Sequence, residues 1–182
     1  MKEYFRKNNL LYIVSIIIVV LDQLTKELVR TRLPLGASWY PIEGFNFVRI
    51  IHWSNTGVAF GMFQGNNVFF AFLAALVAGA IIYYYPFIPE QDKVLRFALA
   101  MQLGGAVGNL IDRITIGQVT DFVSIGNFAV FNVADSCITL GVGVLLLGVY
   151  LEDRREKEKK RLEAIMPPQI EPEEETKSWP NL

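Results

Sequence analysis

Apolar residues in this chain gather into four long runs, at 10–29, 68–85, 94–111 and 133–151, separated by polar or mixed stretches. Each run is long enough, or nearly so, to cross a hydrocarbon core, which takes about 20 helical residues. Lipid offers no partners to backbone N–H and C=O groups, so each run is predicted to be a helix. The second, VFFAFLAALVAGAIIYYY, carries no charge at all. At 182 residues the length alone would suit one soluble domain, but the clustering of its 52% hydrophobic content points to a polytopic membrane protein.

An even number of spans puts both termini on one side. Lys2, Arg6 and Lys7 precede the first run, Lys93 and Arg96 lie between the second and third, and six Lys or Arg at 154–161 follow the fourth, so that side is predicted to be cytoplasmic. Arg30, Arg32, Arg49 and Arg113 lie on the opposite side, spread over longer connections. A basic start before an apolar run also resembles a cleaved signal, but this run continues into LDQLTKELVR without a small-residue cleavage pattern, so a retained span is expected.

The longest connection, 31–67, faces outward. Its FNFVRIIHW stretch is rich in aromatic and β-branched residues and is read as one or two short strands. Gly57 and Gly61 in the following WSNTGVAFG permit tight turns, and Asn55 offers both an amide and a carbonyl. The fold class is therefore all-α with four transmembrane helices and a small extracytoplasmic β-sheet between helices one and two. An ordinary turn-rich loop is the competing reading of that segment.

Net charge is −1, which argues for neither nucleic acid nor an acidic partner. The charge is uneven: EDRREKEKKR after the fourth run is mixed but basic, and IEPEEE beyond it is acidic. The division expected is a membrane domain over 1–151 and a charged cytoplasmic tail over 152–182, disordered from about residue 166. The stretch 154–161 either extends the last helix toward anionic headgroups or serves as a solvated topology anchor. The single cysteine, Cys137, excludes an intramolecular disulfide, and the single histidine, His52, excludes a His-rich metal site. A cysteine protease would have to pair these two. A small apolar role for Cys137 and a loop position for His52 are preferred.

The remaining polar residues collect near the outer ends of the runs. Asp22 and Lys26, four apart, share a helix face and can pair, about 18 Å along the first helix from residue 10. They read as support rather than as reactants. Gly104 and Gly108 permit close helix packing, after which Asn109, Asp112 and Arg113 arrive together. Arg113 could pair with Asp112, hold a loop carbonyl or orient a carboxylate. Asp121 and Asp135 flank a short connection that can return the second carboxyl beside the first. The plainer readings are a loop carboxylate for Asp121 and an N-cap for Asp135. Two close carboxyls share a proton, and the ionised member can deprotonate water while the neutral one hydrogen-bonds a scissile carbonyl. No metal or cofactor is needed for that chemistry.

DQLTK from Asp22, NTGVAFG from Asn55, GNLIDR from Gly108, VTDF from Val119 and FNVADS from Phe131 together resemble lipoprotein signal peptidase, also called signal peptidase II. The motifs run in that family's order over about 150 residues. The resemblance implies an aspartic endopeptidase of the bacterial inner membrane, with Asp121 and Asp135 as its catalytic dyad. Asn55, Gly57, Asn109, Arg113, Asn132 and Ala134 would line or shape the site, and Asp22, Lys26 and Asp112 would support it. Residues 45–60 would form the family's extracytoplasmic sheet. The implied substrates are diacylglyceryl-modified prolipoproteins, cut just before the lipidated cysteine. That cysteine belongs to the substrate, so Cys137 needs no role. The active site would lie near the outer face, in a monomer surrounded by membrane lipid. A four-helix proton-coupled exporter and a non-catalytic scaffold are the alternatives. An exporter would favour a carboxylate at the bilayer midplane rather than at the outer ends.

Overall fold

The structure, a computed structural model, describes residues 2–57 and 63–165. In chain order it contains α1 (Lys2–Arg32), β1 (Ser38–Trp39), β2 (Val48–Asn55), α2 (Asn67–Tyr84) closed by a 3-10 turn (Tyr85–Phe87), α3 (Lys93–Thr115), β3 (Val119–Ile125) and α4 (Val133–Ile165). All four helices are long and apolar enough to cross a membrane. The turn expected at Gly61 and the disorder expected beyond residue 166 lie outside the described residues.

Residues 1–148 form one compact unit. Its central helix is α3, half of whose span is buried against 17% for α2. Glycines make that position possible. A Cβ on Gly104 would lie 2.8 Å from Cβ of Ile18 on α1, and one on Gly105 would lie 2.5 Å from the carbonyl oxygen of Ala134 on α4. On Gly108 a Cβ would come within 2.7 Å of the Asp22 carboxylate. The packing role expected of Gly104 and Gly108 thus extends to Gly105, which serves a second helix. Gly105→Ala is expected to lower stability by about 1–3 kcal/mol, because the obstruction is backbone that cannot rotate away. Thermal unfolding in detergent measures this, and an unchanged midpoint would show that the α3–α4 contact is looser than described. Outward, Ile13, Ile17, Leu24 and Leu28 on α1 are more than half exposed, a surface suited to lipid.

The sheet is antiparallel with order β1-β2-β3. The connection between α1 and α2 supplies β1 and β2, as expected of a sheet between those helices. The third strand comes from the α3–α4 connection, so Asp121 lies on a strand rather than in a loop. Trp53 pairs with Asp121 and Ile50 with Val123, so β2 spends one extra residue between these pairs. At this irregularity the His52 ring nitrogen Nδ1 hydrogen-bonds the Leu33 carbonyl at 2.8 Å, tying the sheet to the end of α1. That partner gives His52 a structural role in place of the loop position expected.

After β3 the chain reverses at Gly126, whose φ of +52° favours glycine and whose N–H donates to the Phe47 carbonyl at 2.7 Å. Phe131 then exchanges backbone hydrogen bonds with Val123, at 2.8 and 3.0 Å. This fold-back brings the start of α4 beside β3.

Residues 149–182 form a separate unit, described as far as Ile165. Its described part, 149–165, is an exposed helix carrying same-helix ion pairs such as Lys157–Asp153 at 2.6 Å and Lys159–Glu163 at 3.8 Å. Such pairs contribute about 0.3–0.5 kcal/mol each.

Candidate active site

Asp121 is almost fully buried at 1% exposure. Its Oδ1 accepts a hydrogen bond from Asn132 Nδ2 at 2.7 Å and its Oδ2 accepts one from Asn55 Nδ2 at 2.8 Å. The Asn55 amide is oriented for this task because its Oδ1 accepts the Gly57 N–H at 2.9 Å, leaving the nitrogen to face the carboxyl. Asp135 sits in the first turn of α4, where its Oδ1 accepts from Asn109 Nδ2 at 2.7 Å.

The N-cap of α4 is Asn132, not Asp135. Asn132 Oδ1 accepts the Asp135 N–H at 2.9 Å, and Asp135 Oδ2 accepts the Asn132 N–H at 3.3 Å, the reciprocal arrangement of a capping box. Asn132 therefore contacts both aspartates, and its buried Nδ2 also reaches Asn109 Oδ1 at 3.2 Å. The next free N–H of α4, that of Ala134, donates to Asp22 Oδ1 at 2.9 Å, so α1 caps α4 from outside.

Asp22 and Lys26 pair at 2.8 Å with both side chains fully buried. Lys26 Nζ also donates to Asn109 Oδ1 at 2.8 Å and lies 3.3 Å from Asp112 Oδ2, so its three donors meet three acceptors. By occupying the Asn109 oxygen, Lys26 turns the amide nitrogen toward Asp135. Asp112 accepts the Thr120 N–H at 3.0 Å, fixing the strand residue just before Asp121. The Asp112–Arg113 pair weighed from sequence does not form. Asp112 is engaged by Lys26, Gln23, Arg30 and Thr120, while Arg113 Nη2 holds the Gly57 carbonyl at 3.3 Å. Arg113 thus takes the loop-carbonyl role among those considered.

Two further residues were not singled out from sequence. Gln23 Nε2 reaches Asp112 Oδ1 at 3.1 Å and the Gly108 carbonyl at 3.0 Å, and Arg30 Nη1 reaches Thr120 Oγ1 at 3.1 Å. A glutamine inside an apolar run, next to Asp22, was the available signal for the first. Arg30 gave none beyond its count among the outer basic residues.

Asp121 and Asp135 both line a cleft of about 550 Å³, with Asn55, Gly57, Asn109 and Arg113 on its polar side and Phe128, Phe131, Ile138 and Leu140 on its apolar side. Burial pushes the Asp121 carboxyl up to about 7, and the negative charge of Asp135 adds to the rise. The amide donors of Asn55 and Asn132 and the charge of Lys26 offset part of it. A carboxyl pushed up toward neutrality beside a second carboxylate, in a largely apolar cleft, can serve proton transfer to and from a peptide bond. Among the described residues no three His, Cys, Asp or Glu side chains converge as metal ligands. Lys26 fills the space between Asp22 and Asp112.

The chain is similar to known lipoprotein signal peptidases. A family model described as signal peptidase (SPase) II matches residues 14–151. A lipoprotein signal peptidase of Shouchella clausii is 42% identical over 82% of this chain and 99% of its own length. One of Symbiobacterium thermophilum is 44% identical over 79% of this chain and 95% of its own length. A solved bacterial membrane enzyme superposes with a TM-score of 0.74 at 30% identity, covering 81% of this chain and 90% of that one. None of these matches lends support to a transporter. The agreement spans all four helices and the sheet, and this chain belongs to the signal peptidase II family, the aspartic peptidases that process bacterial prolipoproteins in the membrane.

Proposed function

We propose that Asp121 and Asp135 are the catalytic dyad and that the chain cuts diacylglyceryl-modified prolipoproteins immediately before the lipidated cysteine. The observation that carries this reading is the shared contact of Asn132 with both carboxyl groups, its side-chain amide on Asp121 and its backbone N–H on Asp135. Asp121 is the member fitted to hold the shared proton. The ionised partner takes a proton from water, whose oxygen attacks the scissile carbonyl carbon while the protonated carboxyl gives its proton to the carbonyl oxygen. Collapse of the tetrahedral diol then breaks the C–N bond: one carboxyl gives its proton to the leaving amine nitrogen of the cysteine while the other takes the proton of a diol hydroxyl, which restores the singly protonated dyad.

The apolar wall of the cleft suits a substrate whose acyl chains fix its depth in the bilayer, so that positioning replaces diffusion in bringing bond and dyad together. In this reading both termini are cytoplasmic, the cleft opens near the outer face, and a monomer suffices. The peptidase resides in residues 1–151, with 152–182 as a charged cytoplasmic tail.

Cleavage of a diacylglyceryl-modified prolipoprotein across a pH series, with product masses recorded, tests the proposal. The expected product begins at the modified cysteine, and an unmodified precursor is cut far more slowly. The rate falls as pH rises through about 7, because Asp121 loses the proton that the reaction requires. A rate still rising well above that pH would remove Asp121 from the acid role.

A further inference from the structure

On β3 the side chain of Phe122 points to the face opposite that of its neighbour Asp121, because successive strand residues alternate. Phe122 lines a second groove of about 490 Å³, between the outer end of α1 and the back of the sheet. Leu28, Val29, Leu33, Trp39 and Ile50 supply the rest of its apolar lining, and Thr25 and the exposed Arg32 border it as well. The two arginines in the last turn of α1 differ in their commitments. Arg30 is engaged by Glu27, Asp112 and Thr120, whereas Arg32 is exposed and has no ion pair or hydrogen bond among the described residues.

We propose that this groove holds one acyl chain of an anionic phospholipid whose phosphate rests on Arg32. The argument is charge complementarity at a membrane boundary. Leu21, Leu24 and Leu28 form an exposed ridge along α1 that runs into the groove, so a lipid lying along the helix enters it without leaving apolar contact. Its headgroup then meets a free guanidinium, whose planar fork matches phosphate oxygens. Trp39, 56% exposed, supplies an amphipathic ring at the rim, the chemistry favoured at the headgroup level. The substrate's own acyl chains are not needed here, because the cleft on the other face of the sheet has its own apolar wall. The lipid would pack against Phe122 and so brace the strand that carries Asp121.

The chain holds three tryptophans, at 39, 53 and 179, so Trp53→Phe with Trp179→Phe leaves Trp39 as the sole indole reporter. The full-length protein, in nanodiscs of phosphatidylcholine, receives about 10 mol % of phosphatidylglycerol or phosphatidylcholine with brominated chains, a headgroup pair differing by the charge that one arginine reads. Brominated phosphatidylglycerol is expected to quench Trp39 at about fivefold lower mole fraction than brominated phosphatidylcholine. Arg32→Gln, at an exposed position, is expected to abolish that difference. Equal quenching by both lipids, no quenching by either, or a preference that survives Arg32→Gln overturns the proposal. Displacement of the quenching by a diacylglyceryl lipopeptide lacking a scissile bond assigns the groove to the substrate and overturns it as well. The readout involves no turnover and is independent of the dyad assignment.

Discussion

Asp121→Asn and Asp135→Asn each lower cleavage of a diacylglyceryl-modified prolipoprotein by about a thousandfold, within the range that general acid–base groups contribute. Asparagine nearly preserves the shape of each side chain but can neither hold nor release the shared proton. The double variant is expected to be no worse than either single one, since the two carboxyls act as a unit. A gel-shift assay in detergent reads the loss, and full activity in either folded variant would remove that residue from the dyad. Stability separates this outcome from misfolding. The Asp121 carboxyl is pushed up to about 7 in the fold, well above the ordinary value of about 3.9. Its proton therefore contributes stability below the ordinary value that is lost as pH rises through about 7. Asp121→Asn lacks this titration, so its unfolding temperature relative to the parent's should rise from about pH 4 to about pH 8, whatever the fixed cost of setting an amide nitrogen against Asn55 or Asn132.

The spans were legible because lipid imposes one requirement, continuous apolar length, that composition alone can express. The third strand was less so. VTDFVSI contains β-branched residues, but five of its seven positions are buried, on both faces, so the apolar–polar alternation that announces a half-buried strand is missing. One face holds Asp121 over the cleft, and Phe122 lines the groove behind it. Nor does β3 adjoin its partner in sequence: Val48 pairs with Ile125 across the whole of α2 and α3.

At the site, residue types were readable and their partners were not. The spacing of Asp22 and Lys26 predicted a pair on one helix face, and they do pair. That Lys26 also aligns the Asn109 amide depends on α3 approaching α1 through Gly104 and Gly108, a tertiary contact. The cap of α4 shows the same limit in miniature. Asn132 and Asp135 are both good candidates from composition, and only the direction of the hydrogen bonds makes one the N-cap and the other its reciprocal partner.

Lys26→Met is expected to cost about 3–5 kcal/mol of stability, the range found when one partner of a buried ion pair is removed. The methionine fills much the same volume, so the loss is electrostatic. Asp22 Oδ2 and Asp112 Oδ2, 2.8 and 3.3 Å from Nζ, would be left buried with no cation between them. Thermal unfolding in detergent measures the loss, and a variant as stable as the parent would mean that water reaches the network. Replacing Lys26 by Met together with Asp112 by Asn should recover part of it, since one of the two buried negative charges is gone while the new amide oxygen still accepts the Thr120 N–H; the recovery is only partial because the amide nitrogen then faces Gln23 and Arg30. The exposed Lys157–Asp153 pair supplies the contrast: its removal should change stability by less than about 1 kcal/mol. Cleavage should respond differently from stability in the double variant. With Nζ absent, Asn109 Oδ1 keeps only the Asn132 amide as a donor, and nothing charged then holds its nitrogen against Asp135. Stability recovered without full activity would locate the contribution of Lys26 in orienting that amide, and not merely in joining α1 to α3.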